Sequence, residues 1–192
     1  MRYIPKPQES PAAECIRGFM NAQMAGRAEG KSWEETPVDY VHFTRGPELK
    51  KLLVEEQKGL CAYTGVGLDE RLAARRPTNQ VPPRTDYWFT PHIEHIKPQR
   101  QCREELVEQD RVVGQDAGED LAYSNLVAAL QVSGTAEEHF GAAHRGAKPI
   151  PIPPTDPACR TAFLYVESGD ILGLSDIAWG TIENLRLDHP TP

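Results

Sequence analysis

Pro91-His92-Ile93-Glu94-His95-Ile96-Lys97-Pro98 sets an acidic residue beside a histidine, shortly before a proline. The preceding run Tyr87-Trp88-Phe89-Thr90 is aromatic and suited to a strand, so the stretch predicts a strand that ends at the pair. Pro98 then stops regular structure. Neighbouring side chains on a strand point to opposite faces. Glu94 therefore offers a hard oxygen ligand for a divalent cation on one face, while His95 offers an imidazole of near-neutral pKa on the other. His92 shares the face of Glu94 and is an alternative ligand.

Working outward from that strand, Ala12 to Ala28 reads as a helix with Ser10 as cap and Pro11 at its first position. Residues 33–46 look irregular. Pro47 to Lys58 reads as a second helix, with Leu49, Leu52 and Leu53 on one face and Gly59 as its stop. Leu60 to Val66 suggests a short strand entering a turn, and the polar, proline-bearing residues 67–87 suggest a loop. Part of the charged stretch 99–120 is expected to be helical. Ser124 or Asn125 is expected to cap a helix from Val127 to Gln131, and 134–143 to hold another short helix carrying His139. Pro149 to Pro157 reads as an extended linker. Phe163 to Leu172, turning at Ser168-Gly169-Asp170, predicts a β-hairpin. Asp176 to Leu187 predicts a closing amphipathic helix, with Ile177, Ile182, Leu185 and Leu187 apolar. The expected class is α+β, divided as an N-terminal extension 1–46, a central core 47–150 and a C-terminal hairpin and helix 151–192.

At 192 residues the chain can bury a real core, and its 17 prolines predict long irregular connections around it. No apolar run approaches membrane-spanning length, and the first residues lack the apolar stretch of a secretory signal, so a cytoplasmic protein without membrane partners is expected. Cys15, Cys61, Cys102 and Cys159 form no CxxC pair, which argues against a disulfide framework or a zinc finger and for small buried residues. A formal charge of −7 opposes indiscriminate nucleic-acid binding. Local basic clusters oppose that balance: Arg71, Arg75 and Arg76; Lys97, Arg100 and Arg103; Arg145 and Lys148. As solvated faces these would carry no function.

The Glu-His pair suits phosphodiester hydrolysis, which needs an activated water and a charge to stabilise the phosphate. In that chemistry His95 is the general base, Glu94 a cation ligand and His144 a second ligand, with His139 competing for the same place. Asn125 is expected to bridge backbone groups and hold the His95 strand, although it can equally be a helix cap. Lys148 or Arg145 can meet a phosphate oxygen. A cysteine hydrolase pairing Cys61 with His95 is a rival, weakened because no neighbour of Cys61 in the sequence would stabilise a thiolate.

Gln57-Lys58-Gly59-Leu60-Cys61-Ala62-Tyr63, Ile93-Glu94-His95-Ile96-Lys97-Pro98, Tyr123-Ser124-Asn125-Leu126 and Gly146-Ala147-Lys148 together resemble the HNH proteins of anti-phage defence, nearest to the Septu-type and retron-associated groups. Met1-Arg2-x-Ile4 and Phe163-x-Tyr165 followed by Gly169-x-Ile171 extend the likeness towards both ends. The resemblance implies a small ββα-metal core wrapped by helices and proline-rich loops. It implies a metal-dependent endonuclease that cuts DNA, or RNA such as tRNA, beside an ATPase subunit. The cation would be magnesium or manganese, with zinc or nickel as alternatives. Many relatives carry a second cysteine after CxY, where this chain has Thr64, and a later cysteine cluster where it has His139 to His144; a structural zinc is therefore not expected. The same departures motivate the rival expectation of a catalytically degenerate subunit that binds and regulates the ATPase.

Overall fold

The computed structural model describes residues 1–68, 87–132, 139–168 and 170–188. Among these the protein is α+β, with five helices and two small antiparallel sheets. The helices are α1 Pro11–Ala28, α2 Gly46–Glu56, α3 Gln99–Glu108, α4 Gly141–Arg145 and α5 Asp176–Leu185. The strands are β1 Tyr87–His95, β2 Leu126–Val132, β3 Phe163–Tyr165 and β4 Ile171–Gly173; β1 pairs with β2 and β3 with β4. The chain forms two compact units, each built from separated segments: Met1–Pro5, Val54–Glu94 and Ala128–Pro192 in one, Lys6–Leu53 and His95–Val127 in the other. Of the expected divisions, 1–46 and 47–150 each contain parts of both units, whereas 151–192 lies wholly within the first. No described helix is long and apolar enough to cross a membrane.

In the second unit, Ser10 caps α1 by accepting from Ala13 N at 3.1 Å, with Pro11 in the first turn where its missing N–H costs nothing. Ala12, Ala13, Cys15, Ile16 and Phe19 form the buried stripe of α1, and the Phe19 ring meets Phe43 edge-on at 5.1 Å. Arg27, in the last turn of α1, donates to the carbonyls of Thr36, Gly114 and Gln115 at 2.8–3.1 Å. One guanidinium thus anchors two irregular loops that lack ladders of their own. Buried Cys102 and Leu106 turn α3 towards the short 3₁₀ turn Glu119–Leu121.

The first unit is organised by its C-terminal elements. The hairpin registers Leu164 against Leu172, and α5 packs on β4 and on α4. Gly173 permits that packing, since a Cβ there would lie 2.6 Å from Trp179 N. Gln57, fully buried, donates to Leu60 O at 2.9 Å and Ala128 O at 2.8 Å, and accepts from Ala128 N at 2.7 Å. Its amide acts as one rung of a ladder along β2.

Several expectations need correction. The segment Leu126–Val132 is strand β2, not a helix capped by Ser124 or Asn125. Leu126 to Leu130 is buried at every position, and such a short apolar run carries no period that separates a buried strand from a helix. Leu60 to Val66 is a turn closed by an isolated bridge between Leu60 and Gly67, because Cys61 N bonds back to Val66 O at 2.8 Å. The short helix expected to carry His139 is α4, which begins after it and carries His144; residues 134–138 of that expectation lie outside the described residues, as do most of the loop 67–87 and the cluster Arg71, Arg75 and Arg76. Ile177 is 61% exposed, so it is not on the buried face of α5.

Candidate active site

His95 ends β1, and His95 itself is 6% exposed. Its Nε2 lies 3.0 Å from the carbonyl oxygen of Asp120. A carbonyl only accepts, so Nε2 carries the proton and Nδ1 keeps its lone pair. The amide nitrogen of Gln99, a donor, stands 3.4 Å from Nδ1, consistent with the same neutral tautomer. The Tyr40 ring meets the imidazole edge-on at 4.3 Å. Asp120 governs both neighbours: its carbonyl takes the imidazole N–H, and its Oδ2 accepts from Tyr40 N at 2.9 Å. Gly118 leaves room for this carboxylate, as a Cβ there would sit 2.7 Å from Asp120 Oδ1.

Asn125 lies in a 3₁₀ turn, Tyr123–Asn125, and clasps the backbone just beyond His95. Its Oδ1 accepts from Lys97 N at 2.6 Å, and its Nδ2 donates to Lys97 O at 3.1 Å and Glu119 O at 3.0 Å. Its own carbonyl accepts from Ile96 N at 2.9 Å. The chain after His95 is therefore pinned at two consecutive residues, which fixes where the imidazole starts. Lys97 Nζ pairs with Glu105, and with Glu119 at 2.8 Å. Burial opposes its charge, yet the bonds to these two carboxylates hold its ammonium above the ordinary pKa. Arg100 pairs with Glu104 at 2.8 Å, so two members of the basic cluster Lys97, Arg100 and Arg103 are neutralised within their own unit.

Glu94 stands in a different setting. Its Oε1 accepts from Arg145 at 2.7 Å, and the two side chains are 12% and 3% exposed. His92, on the same strand face, places Nε2 3.3 Å from Glu94 Oε2. Its Nδ1 is buried with no partner among the described residues. Tyr63 is fully buried, its hydroxyl likewise without a partner among those residues, and burial followed by the Glu94 charge holds its phenol well above the usual pKa. Arg145 was expected at a phosphate; it is turned inward because Glu94 would otherwise be a buried charge without a counterion. Lys148 is exposed. His144 is half-buried on α4, and burial, then Lys148 and Arg186, lower its pKa below 6.5. His139 precedes α4 and gives its carbonyl to Arg186 at 3.4 Å.

Each unit therefore assembles part of the expected set: Glu94, His92 and Arg145 in one, His95 and Asn125 in the other. No group of three or more His, Cys, Asp or Glu side chains able to hold a metal ion occurs among the described residues. The donor types around Glu94 still fit a divalent cation, with a carboxylate oxygen and an imidazole nitrogen 3.3 Å apart and an orphaned His92 Nδ1 beside them. Cys61 Sγ accepts from Leu130 N at 3.3 Å, and the thiol is buried, as are Cys15, Cys102 and Cys159. Sequence reasoning missed Asp120 and Gln57. Asp120 acts on His95 through its backbone carbonyl, which no side-chain pattern announces, whereas a glutamine just after an amphipathic helix was a visible cue for Gln57. No protein-family model matches the chain, and no curated protein is significantly similar to it.

Proposed function

We propose that this chain is a metal-dependent HNH-type endonuclease with a ββα-metal centre, hydrolysing phosphodiester bonds of DNA or of RNA such as tRNA. The observation that carries the proposal is the tautomer of His95, set by the Asp120 carbonyl at 3.0 Å in the residue next to a carboxylate. An imidazole whose Nε2–H is engaged can take a proton only at Nδ1. One peptide bond separates it from Glu94, with the two side chains on opposite faces of the strand. Glu94 and His92, with His144 as a further candidate, would hold the cation, magnesium or manganese first. Bound there, it would supply positive charge to the phosphate and the leaving oxygen. His95 would take the proton of the attacking water, and Asn125 would keep the base in place by clasping Lys97. By resemblance the chain would act as the effector beside an ATPase in anti-phage defence.

Cleavage of plasmid and of tRNA with magnesium or manganese, with and without an ATPase partner, tests this. Cutting by the native protein that disappears in His95→Ala is the expected result. Intact DNA and RNA under every condition would defeat the proposal.

One observation favours a second reading, in which the chain is a catalytically degenerate subunit that regulates the ATPase. The guanidinium of Arg145 already neutralises Glu94, which removes the electrostatic demand for a cation. Calorimetric titration with manganese separates the two: heat of binding that is lost in Glu94→Gln supports the nuclease, and its absence supports the degenerate subunit.

A further inference from the structure

The first unit contains a cleft of about 460 Å³ that the proposed chemistry does not use. Arg2, Tyr3, Pro5, Arg160, Phe163 and Tyr165 line it. Phe163 and Tyr165 stand two apart on β3 and so share one face of the hairpin. The Arg160 guanidinium lies over the Tyr3 ring, 4.4 Å from its centroid. A guanidinium held over a ring by its cationic centre can still offer N–H donors to an acceptor. Arg2 spends one N–H on the carbonyl of Gln57, and its buried Nε has no partner among the described residues.

Among those residues neither guanidinium pairs with a carboxylate. The chain carries 28 acidic against 21 basic residues, and Arg45, Arg100 and Arg145 by contrast are paired. Three aromatic rings and two guanidinium groups without a carboxylate partner among the described residues therefore line one concave surface. Its volume falls in the range of about 300–1,000 Å³ typical of small-ligand sites. The rings supply stacking surface for a flat heteroaromatic group, and the guanidinium groups supply bidentate donors for an anion.

We propose that this cleft binds a nucleotide unit, a planar base carrying a phosphate. The base stacks against Tyr3, Phe163 or Tyr165, and the phosphate is held by Arg160 with Arg2. A free nucleotide and one residue of a single strand present the same chemistry, and the site is independent of the nuclease reading.

The test uses the full chain in the presence of a chelator, so that no cutting intervenes. Adenosine 5′-monophosphate is titrated by calorimetry, and a fluorescein-labelled oligothymidylate of about eight nucleotides by anisotropy. Both probes should bind, and Arg160→Glu should weaken each by about tenfold or more. Arg160 is exposed, so this change leaves the fold intact; Tyr165→Ala, also at an exposed residue, should weaken binding less. An oligonucleotide that binds about tenfold tighter than the mononucleotide identifies a strand site, and equal affinity identifies a free-nucleotide site. Binding retained in His95→Ala would uphold the cleft even if the nuclease reading failed. The proposal is overturned if neither probe saturates by about millimolar concentration, if Arg160→Glu binds as well as the native chain, or if inorganic phosphate binds as tightly as the nucleotide.

Discussion

Glu94 and His95 share a peptide bond, yet their surroundings satisfy them by opposite means. Glu94 is a charge taken out of water and met by another charge, Arg145, with both side chains nearly buried. His95 is a neutral ring met by a backbone carbonyl, and the chain beyond it is held by the amide of Asn125. A buried ion pair depends on both partners, because removing one leaves the other desolvated and uncompensated. A neutral hydrogen-bonded cluster loses only the bonds removed and the groups stranded by their loss. The Glu94 region should therefore break sharply under single substitutions and recover under paired ones, whereas the His95 region should lose function well before it loses stability.

The largest effect is expected for Arg145→Leu, which should cost about 3–5 kcal/mol in urea unfolding by stranding Glu94. Combining it with Glu94→Gln should recover more than half of that loss. If single and double variants unfold alike, the contrast between the two regions collapses.

Asn125→Ala comes next, at about 2–3 kcal/mol, since it strands the Lys97 N–H and two carbonyls near the surface of a buried turn. Hydrogen exchange at the Lys97 amide should quicken in parallel. Asn125→Asp keeps the acceptor for Lys97 N but loses the Nδ2 donors, and should fall between the alanine variant and the native chain.

His95→Ala should destabilise by about 2 kcal/mol, through the stranded Asp120 carbonyl and the space left beside the Tyr40 ring. Any phosphodiesterase activity should nevertheless fall by about 10²–10⁴. A variant that lost stability without losing activity would assign His95 to the scaffold.

The smallest effect concerns pH. His144 has its folded pKa depressed below 6.5, by burial and then by Lys148 and Arg186, so folding favours the neutral imidazole. Its contribution to stability is present above 6.5 and is lost as pH falls through the depressed value. Lys148→Gln should move the His144 titration upward in an NMR histidine experiment and flatten the pH dependence of unfolding in that window. An unmoved titration would remove Lys148 from the causes and leave burial with Arg186.

The Glu-His pair at the end of β1, the capped helix α1 and the hairpin β3–β4 were legible because each depends on residues close together in sequence. A cap needs Ser10, Pro11 and Ala13; the hairpin needs a turn between two short apolar runs. The backbone clasp by Asn125 was legible as amide chemistry, though the residue it clasps, Lys97, lies 28 positions earlier. The strand β2 was not legible, because five consecutive buried apolar residues have the same composition in a helix or a strand.

What the amino-acid order determined by itself was the stock of local devices: where helices begin, where turns fall, and which face of β1 carries Glu94 with His92. What only the tertiary structure decided was partnership at long range. Arg145 meets Glu94 across 51 positions, Gln57 completes β2 across 71, and the carbonyl of Asp120 sets the proton on His95 across 25. Each such pairing depends on the summed free energy of burial, which compares whole arrangements of the chain, whereas local propensity weighs only neighbours.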